Sequence, residues 1–455
     1  MTEIRQISRY HRVGQGLFYS ASFYNVTKKK QREVRYIIDC GSSNGNKVLK
    51  QEIDDYIQTY IDKECLDFLI ISHLHADHVS GLSRLLSKLE EKKVTIKNLF
   101  LPYLDKATRV FLYLLWKGKI EKGYEWILEF ILEPVEFLKQ YNIVENIIFI
   151  HGTEDKDEER VPEDNGSFLG DDDDIKFQAV AVTKPDETEL IDKSSKNVIH
   201  VFNCKLNLFS LIEFDFWFKS CSQPALDDFK DTLRGLKLEE ALKKVTKSSA
   251  LYKAYEKLQK DFNDTSLCVS ITNNSKFGLK VTGFLMSQNY LANLRAIKTS
   301  NLEEFSTMKS FDENAIINGQ FLGTSLPINH YYRERWRIPY RVNMFEKFGY
   351  LFTGDINLAP NKDGTESDTF RSFINHYNLK RVNVAILLVP HHGSQNNWDR
   401  RILEYFLNPF SIISSGKASH YRHPDFSVVN DINPTGWSWV NDESSFNHGY
   451  TLTLR

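Results

Sequence analysis

A short apolar run that is followed at once by three histidines and an aspartate most constrains how this chain folds. Residues 66–72 (LDFLIIS) are mainly apolar, as expected for a strand that is covered on both faces of a sheet. The next residues, HLHADHVSGL, give the pattern H-x-H-x-D-H and lead into an amphipathic segment at 80–92 that is typical of a helix. The cluster is therefore predicted in a loop between a buried strand and a helix.

Imidazole and carboxylate side chains in such a loop are common ligands of zinc and manganese. His73 and His75 are placed to bind one ion, and Asp77 and His78 are placed to bind a second. Two ions about 3.5–4 Å apart can share a hydroxide and stabilise a developing oxyanion. The sequence thus predicts two divalent metal ions, Zn or Mn, and a metal-dependent hydrolase.

Strand and helix patterns alternate around this loop, which predicts a layered α/β fold. Helical insertions are expected at about 105–145 and 225–262, and an irregular cap or substrate-contact segment at 286–345. We expect these insertions within a single domain over residues 1–455. Further helices are predicted at 47–63 and 80–92, and strands at 16–24, 34–40, 66–72, 98–104, 146–152, 177–182, 207–219, 265–272, 277–285, 350–355, 384–390 and 410–416.

The composition is that of a globular protein with a sizeable core, since 41% of the 455 residues are hydrophobic. The net charge of -2 gives no overall positive field, so any binding of nucleic acid must be local. None of the five cysteines forms a C-x-x-C pair, which favours reduced thiols. No apolar run reaches about 18 residues and no signal peptide is visible, so we expect a cytoplasmic protein without a membrane span.

The segment HLHADHVSG resembles the metal-binding motif of the metallo-β-lactamase superfamily. The resemblance implies a four-layer αββα sandwich, with the metals at the sheet edges between its two halves. It also implies that Asp39-Cys40-Gly41 ends a strand that supports the site, and that Asp355 in YLFTGD bridges the two ions. The glycine before Asp355 would let the backbone approach closely.

Three later segments resemble the ComEC-like group of this superfamily, which includes DNA-uptake competence proteins and their soluble relatives. They are NDTSLCVSI at 263–271, PHHGS after the strand VAILLV, and SSGKASHYRHP at 414–424. The resemblance implies that one histidine of PHHGS is a metal ligand. His391 is favoured, with His392 beside it as the alternative.

Other residues are candidates for contacts with substrate. Ser394 is placed to contact a substrate oxygen, and Lys417 and His423 to contact a phosphate; the alternatives are a turn-stabilising serine for Ser394 and ordinary loop structure for the other two. Arg335 and Arg337 lie in HYYRERWRIPYR, where arginines and aromatic residues alternate as in single-strand binding. The alternative for this segment is an amphipathic surface stretch that packs its aromatic side chains.

Many superfamily members have a further histidine that completes the first metal site. His151, after the strand NIIFI, and His200 are the candidates, and the absence of an equivalent is the third alternative.

These observations predict a phosphodiesterase or nuclease that uses a metal-bridged hydroxide. Asp77, Asp355 and His423 are the candidate catalytic residues. The resemblance implies nucleic acid as the substrate and a place in antiphage defence beside an ATPase or sensor subunit. A hydrolase of small esters, lactones or small phosphoesters, and a non-catalytic or partner-gated subunit, remain the alternatives.

Overall fold

The fold is described by a computed structural model, which covers most of the chain. The described residues are 3–27, 32–43, 46–61, 65–152, 174–181, 198–220, 224–234, 249–261, 266–273, 279–286, 347–417 and 423–454. The predicted insertion at 286–345, with Arg335 and Arg337, lies outside them except for its first residue. In the part of the chain that is described, no helix is both long and apolar enough to cross a lipid bilayer.

Six strands and six helices form the first part of the chain, up to residue 150. The strands are β1 (Glu3–Tyr10), β2 (Phe18–Asn25), β3 (Arg32–Cys40), β4 (Cys65–Ile70), β5 (Thr95–Pro102) and β6 (Val144–Ile150). The helices are α1 (Asn46–Tyr60), α2 (Ala76–Val79), α3 (Leu82–Glu91), α4 (Lys106–Trp116), α5 (Trp126–Leu132) and α6 (Pro134–Lys139).

The rest of the chain adds ten strands and five helices among the described residues. The strands are β7 (Ile175–Ala181), β8 (Val198–Leu208), β9 (Ile212–Trp217), β10 (Cys268–Asn273), β11 (Leu279–Met286), β12 (Gly349–Phe352), β13 (Ile386–Leu388), β14 (Phe410–Ser414), β15 (Trp437–Val440) and β16 (Phe446–Leu454). The helices are α7 (Pro224–Leu233), α8 (Ala250–Asp261), α9 (Asp368–His376), α10 (Arg401–Tyr405) and α11 (Phe426–Ile432).

Local sequence explains why these segments form helices. One side of α3 is buried through Leu82, Leu85, Leu86 and Leu89. Residues three and four positions apart lie on the same face of a helix, so this spacing gives α3 an apolar face. The side chain of Asp105 caps α4 by accepting a hydrogen bond from the backbone N–H of Thr108 at 2.8 Å.

The strands are hydrogen-bonded in the order β11-β16-β1-β2-β3-β4-β5-β6-β8-β9-β10-β12-β13-β14-β15, with β7 paired to β8. Aromatic contacts show that this sheet folds back on itself. The rings of Tyr19 in β2 and Phe352 in β12 lie 4.7 Å apart, and those of Phe100 in β5 and Phe216 in β9 lie 4.9 Å apart. Since these strands are distant in the strand order, the two halves of the sheet must pack face to face.

Helices cover the outer face of each half. Phe370, Phe373, Ile402 and Val428 from α9, α10 and α11 form a second apolar cluster against the outer side of β12 and β13. On the first half, α1 packs beside α3. The layers are therefore helix, sheet, sheet and helix, which confirms the predicted αββα sandwich.

Several predicted elements differ from the observed ones. The segment 105–141 is three short helices, broken at 117–125 and again where Pro134 begins α6. The stretch 207–219, predicted as one strand, contains a reversal at Phe209 and Ser210, where β8 turns into β9. β1 was not predicted, because its buried face alternates apolar Ile4 and Tyr10 with polar Gln6 and Ser8.

Candidate metal centre

Polar side chains gather where parallel strands of the two halves end. In the first half β3 and β4 are parallel neighbours, with Asp39 at the end of β3 and His73 just after β4. In the second half β12 and β13 are parallel neighbours, with Asp355 after β12 and His392 after β13. Parallel strands end at a common edge, where ligands are usually bound. Face-to-face packing brings these two edges together.

Four of the predicted ligands form one compact group. Among the described residues, ligand atoms of His73, Asp77, His78 and Asp355 all lie within 4.8 Å of one another. Nε2 of His73 is 3.3 Å from Oδ2 of Asp355, and Nε2 of His78 is 3.3 Å from Oδ1 of the same carboxylate. Asp355 thus lies between the two histidines.

Asp39 and Ser72 fix the orientation of the His73 and His78 rings through contacts to Nδ1 of each ring. The backbone N–H and the hydroxyl of Ser72 both donate to Asp39, at 2.7 and 2.6 Å, and Nδ1–H of His78 donates to Asp39 at 2.7 Å. Since the hydroxyl proton of Ser72 is directed at Asp39, its oxygen accepts from Nδ1–H of His73 at 3.0 Å. This network assigns a proton to Nδ1 of each neutral ring and leaves Nε2 as an acceptor.

The residues present fit a divalent cation. Nε2 of His73, Nε2 of His78 and Oδ1 of Asp355 are buried, and none has a hydrogen-bond partner among the described residues. Three acceptors that face one another without a donor are unfavourable unless a positive charge lies between them. Two imidazole nitrogens and a carboxylate are a donor set that suits zinc or manganese.

His392 extends the group toward the second half. Its Nδ1–H donates to the carbonyl oxygen of Ser414 at 2.6 Å, so Nε2 is again directed inward. That nitrogen lies 3.1 Å from Oδ2 of Asp77 and 3.6 Å from Oδ1 of Asp355. His392 is therefore better placed than His391, whose Nε2 lies 3.9 Å from Oδ2 of Asp355 and whose side chain is 28% exposed.

The pKa values show how strongly these charges interact. Burial alone would raise the pKa of Asp355, but His391, His73 and His392 lower it well below its usual value. Burial alone would lower the pKa of His78, but Asp39 and Asp355 raise it instead. For His73 burial dominates and lowers the pKa to about 4. The centre therefore favours the charged carboxylate form of Asp355 and the charged form of the His78 ring.

Three further histidines surround the group. The ring of His75 lies 4.6 Å from that of His73 and 5.1 Å from that of Trp116. The ring of His423 lies 6.0 Å from that of His391, and its Nδ1 is 3.5 Å from Oδ2 of Asp425. His75 is thus a neighbour of His73, and His423 is a neighbour of His391.

Lys417 and Ser394, which were predicted to contact substrate, both have partners within the protein. Lys417 pairs through Nζ with the carboxylate of Glu443, an interaction with which a phosphate would have to compete. Ser394 is buried, and its backbone N–H donates to the carbonyl oxygen of His391 at 2.9 Å. Their role in binding substrate stays a prediction.

The structure places His151 and His200 beside each other instead of in the compact group. Nε2 of His151 lies 2.9 Å from Nδ1 of His200, and the His151 ring stacks on Tyr103 with centroids 3.9 Å apart. Burial, followed by the neighbouring His151, lowers the pKa of His200 to about 3. Of the three alternatives, the geometry favours the absence of a further histidine ligand in this group.

The loop at residues 13–17, which contacts both halves of the centre, had not been predicted. The backbone N–H of Leu17 donates to the carbonyl oxygen of Asp77 at 3.2 Å, and the hydroxyl of Ser414 donates to the carbonyl oxygen of Gly16 at 2.6 Å. Gly16 has φ +149°, and a Cβ there would meet carbonyl oxygens of Asp77 and Gly41 at 2.4 Å. The pair of glycines in RVGQG is the sequence signal that could have indicated this close approach.

The chain resembles known proteins in part of its sequence and in its fold. Residues 30–161 match the family model of the metallo-beta-lactamase superfamily. Among solved structures, a long form RNase Z from yeast is similar at 12% identity and a TM-score of 0.32, over 98% of this chain and 41% of that one. The metallo-beta-lactamase fold protein YhfI from Bacillus subtilis is similar at 8% identity and a TM-score of 0.34, over 98% and 99% of the two chains.

The chain thus spans less than half the length of the yeast RNase Z. No curated protein sequence matches it significantly. The family match contains the whole H-x-H-x-D-H cluster, and the structure gives that cluster the donor set of a metal centre. Residues 30–161 are therefore similar to the metallo-β-lactamase superfamily in the segment that holds this cluster.

Proposed function

We propose that this protein is a metal-dependent hydrolase that cleaves phosphodiester bonds in nucleic acid. The observation that carries the proposal is the convergence of Nε2 of His73, Nε2 of His78 and Oδ1 of Asp355, three buried acceptors without a donor. Such a convergence serves a cation, and hydrolysis is the chemistry that a divalent cation in a strand-end site commonly supports.

His73, His78 and Asp355 would hold one ion, and Asp77, His392 and Asp355 would hold the second. When bound, the ions would lower the pKa of a water molecule and neutralise the phosphoryl oxygens. Asp39 and Ser72 keep the imidazole protons on Nδ1 of His73 and His78, so that Nε2 stays available. Asp77 and Asp355, held as carboxylates, would orient the attacking water.

His391 and His423 supply the proton chemistry that a phosphodiester requires. The departing alkoxide needs a proton, and imidazole is the side chain suited to donate one near neutral pH. The side chain of His391 is 28% exposed and its Nε2 lies 3.9 Å from Oδ2 of Asp355, so the ring is both accessible to substrate and next to the centre. Asp425, close to Nδ1 of His423, would orient that second ring.

Finer assignments rest on the resemblance alone. PHHGS and the Y-x-H-P element support a place in the ComEC-like group, and through it a role in antiphage defence beside an ATPase or sensor subunit in the cytoplasm. Zinc and manganese are the metals we propose, because the ligands are imidazoles and carboxylates without a thiolate.

The test is cleavage of labelled single- and double-stranded DNA and RNA with Mn²⁺, Zn²⁺ or Mg²⁺. We expect wild-type cleavage to fall at least about 100-fold in His78→Ala and in Asp355→Asn, and to disappear with chelator. His376→Ala is the matched control, because His376 pairs with Asp215 outside the centre at 3.0 Å. Protein that holds metal but cleaves no nucleic acid would refute the proposal and favour a small ester or a partner-gated subunit.

A further inference from the structure

A basic groove of about 440 Å³ lies between α1, α3 and residues 122–126. Its volume is in the range of small-molecule sites, so it exceeds what a single water or ion requires. Four cations, one carboxylate and two aromatic residues are among the residues that line it: Lys50, Arg84, Lys88, Lys122, Glu91, Tyr124 and Trp126.

The charge of the groove contrasts with that of the whole chain, which carries -2. Arg84 uses Nε and Nη2 to bind both oxygens of Asp54, which leaves Nη1 of its guanidinium for another acceptor. Lys88 pairs with Glu91 at 2.5 Å. Lys50 and Lys122 are exposed, so the residues that line the groove carry four cations against one carboxylate, and the carboxylate of Glu125 accepts from the backbone N–H of Gly123 beside them.

Two stretches of chain connect the groove with the metal centre. Ser80 and Gly81, which line the groove, come two and three residues after His78, the last residue of the cluster. On the other side, the ring of Trp116 lies 5.1 Å from that of His75, and Nζ of Lys119 lies 5.4 Å from the Trp116 ring. The turn after Trp116 then leads to Lys122 and Tyr124 in the groove.

We propose that the basic groove binds the backbone of a single-stranded polynucleotide whose scissile phosphate lies at the metal centre. Lysine and arginine neutralise phosphates, and aromatic faces stack on bases that are not paired. The groove supplies cations beside Tyr124 and Trp126, and Trp116 with Lys119 repeats that combination next to His75. This inference rests on the proposed function, because it names the substrate and the path by which it reaches the centre.

The test is binding of a fluorescein-labelled oligothymidylate with a cleavage-resistant phosphorothioate backbone, measured by anisotropy on the full chain over a range of salt. Lys50→Gln with Lys122→Gln should weaken binding about 10-fold and reduce the salt slope by about 1.4, since each phosphate contact on a single strand contributes about 0.7. Tyr124→Ala should weaken binding about 5-fold or more without changing the slope, because it removes stacking and no charge.

The matched control is Lys176→Gln with Lys253→Gln, which removes two exposed lysines that do not line the groove. Equal affinity and slope for wild type and the groove variants would overturn the inference, and so would equal losses in groove and control variants. Wild-type cleavage with normal binding by the groove variants would leave the proposed function standing. Groove-dependent binding without any cleavage would refute the proposed function and the path to the metal centre, while the affinity of the groove for a single strand would stand.

Discussion

Nε2 of His392 lies 3.1 Å from Oδ2 of Asp77, while Nδ1–H of the same ring is held by the carbonyl oxygen of Ser414. In the neutral ring the two facing atoms are both acceptors, so a proton or a cation belongs between them. Burial alone would lower the pKa of His392, but Asp355 and Asp77 raise it. The two carboxylates therefore favour a proton on Nε2 of His392, at the place where a metal would bind.

Metal binding should release protons for this reason. The pKa values of His78 and His392 are both raised, so we expect about one to two protons released per protein molecule near pH 7, and a metal affinity that rises with pH. Calorimetric titration in buffers of different ionisation enthalpy measures this number. His392→Ala should lower it by about one and His376→Ala should leave it unchanged; buffer-independent heats would contradict the assignment.

Ser72→Ala should reduce metal affinity by about 10–100-fold, because the hydroxyl connects Asp39 to His73 and fixes the ring. Competition with a chromophoric chelator gives the affinity. Ser270→Ala is the matched control: that hydroxyl is also fully buried, but it has no hydrogen-bond partner among the described residues. A loss of the same size in both variants would assign Ser72 a role in packing only.

Gly16→Ala should destabilise the fold by about 1–3 kcal/mol, since its φ of +149° disfavours a side chain and the new Cβ would meet two carbonyl oxygens at 2.4 Å. Because one of these belongs to Asp77, metal affinity should fall as well. Urea denaturation and metal titration measure the two effects. Gly118→Ala, where nothing lies within 4 Å, should change neither.

Glu52 is buried, and its carboxylate accepts from Arg9 at 2.8 Å, from Arg12 at 2.6 Å and from His11 at 3.0 Å. Glu52→Gln should cost about 3 kcal/mol of unfolding free energy, because it leaves buried positive charge without its partner. Glu91→Gln, which removes an exposed partner of Lys88, should cost less than about 1 kcal/mol. Similar losses in the two variants would be inconsistent with a buried network.

The same network predicts acid sensitivity. Burial alone would raise the pKa of Glu52, but His11 and Arg9 lower it from 4.5 to about 2. A depressed carboxylate pKa contributes stability that is present above 4.5 and is lost as the pH falls toward 2. Urea midpoints measured across this range should therefore decline less steeply in Glu52→Gln than in wild type, and parallel declines would count against the contribution.

The sequence was sufficient for the part of the centre that is local. His73, Asp77 and His78 lie within six residues at the end of an apolar strand, so their proximity follows from strand and helix geometry. Asp355 and His392 also follow apolar strands. The resemblance to the family indicated that they belong to the same centre as His73, Asp77 and His78. The tautomers could not be predicted, because they depend on Asp39 and Ser414, which contact the histidines only in the folded chain.

Contacts between distant residues explain the remaining differences. The hydrogen bond from Ser414 to Gly16 joins residues 398 positions apart, and no local pattern encodes it. β1 was missed because Gln6 and Ser8 on its buried face bind Tyr350 and His448 instead of packing as apolar residues. Polar groups can occupy a core when their partners are also buried, and a pattern of hydrophobicity cannot show that.

The pairing of β1 with β16 has a consequence for synthesis on the ribosome. Glu3 pairs with Thr453 and Tyr10 with Phe446, so one edge of β1 gains its partner only after more than four hundred further residues are translated. At about 5–20 residues per second, that edge stays open for about 20–90 s. Open strand edges recruit other chains, and charged side chains oppose this. Arg5 and Arg9, on the less buried face of β1, would oppose such contacts with other chains until β16 has been translated.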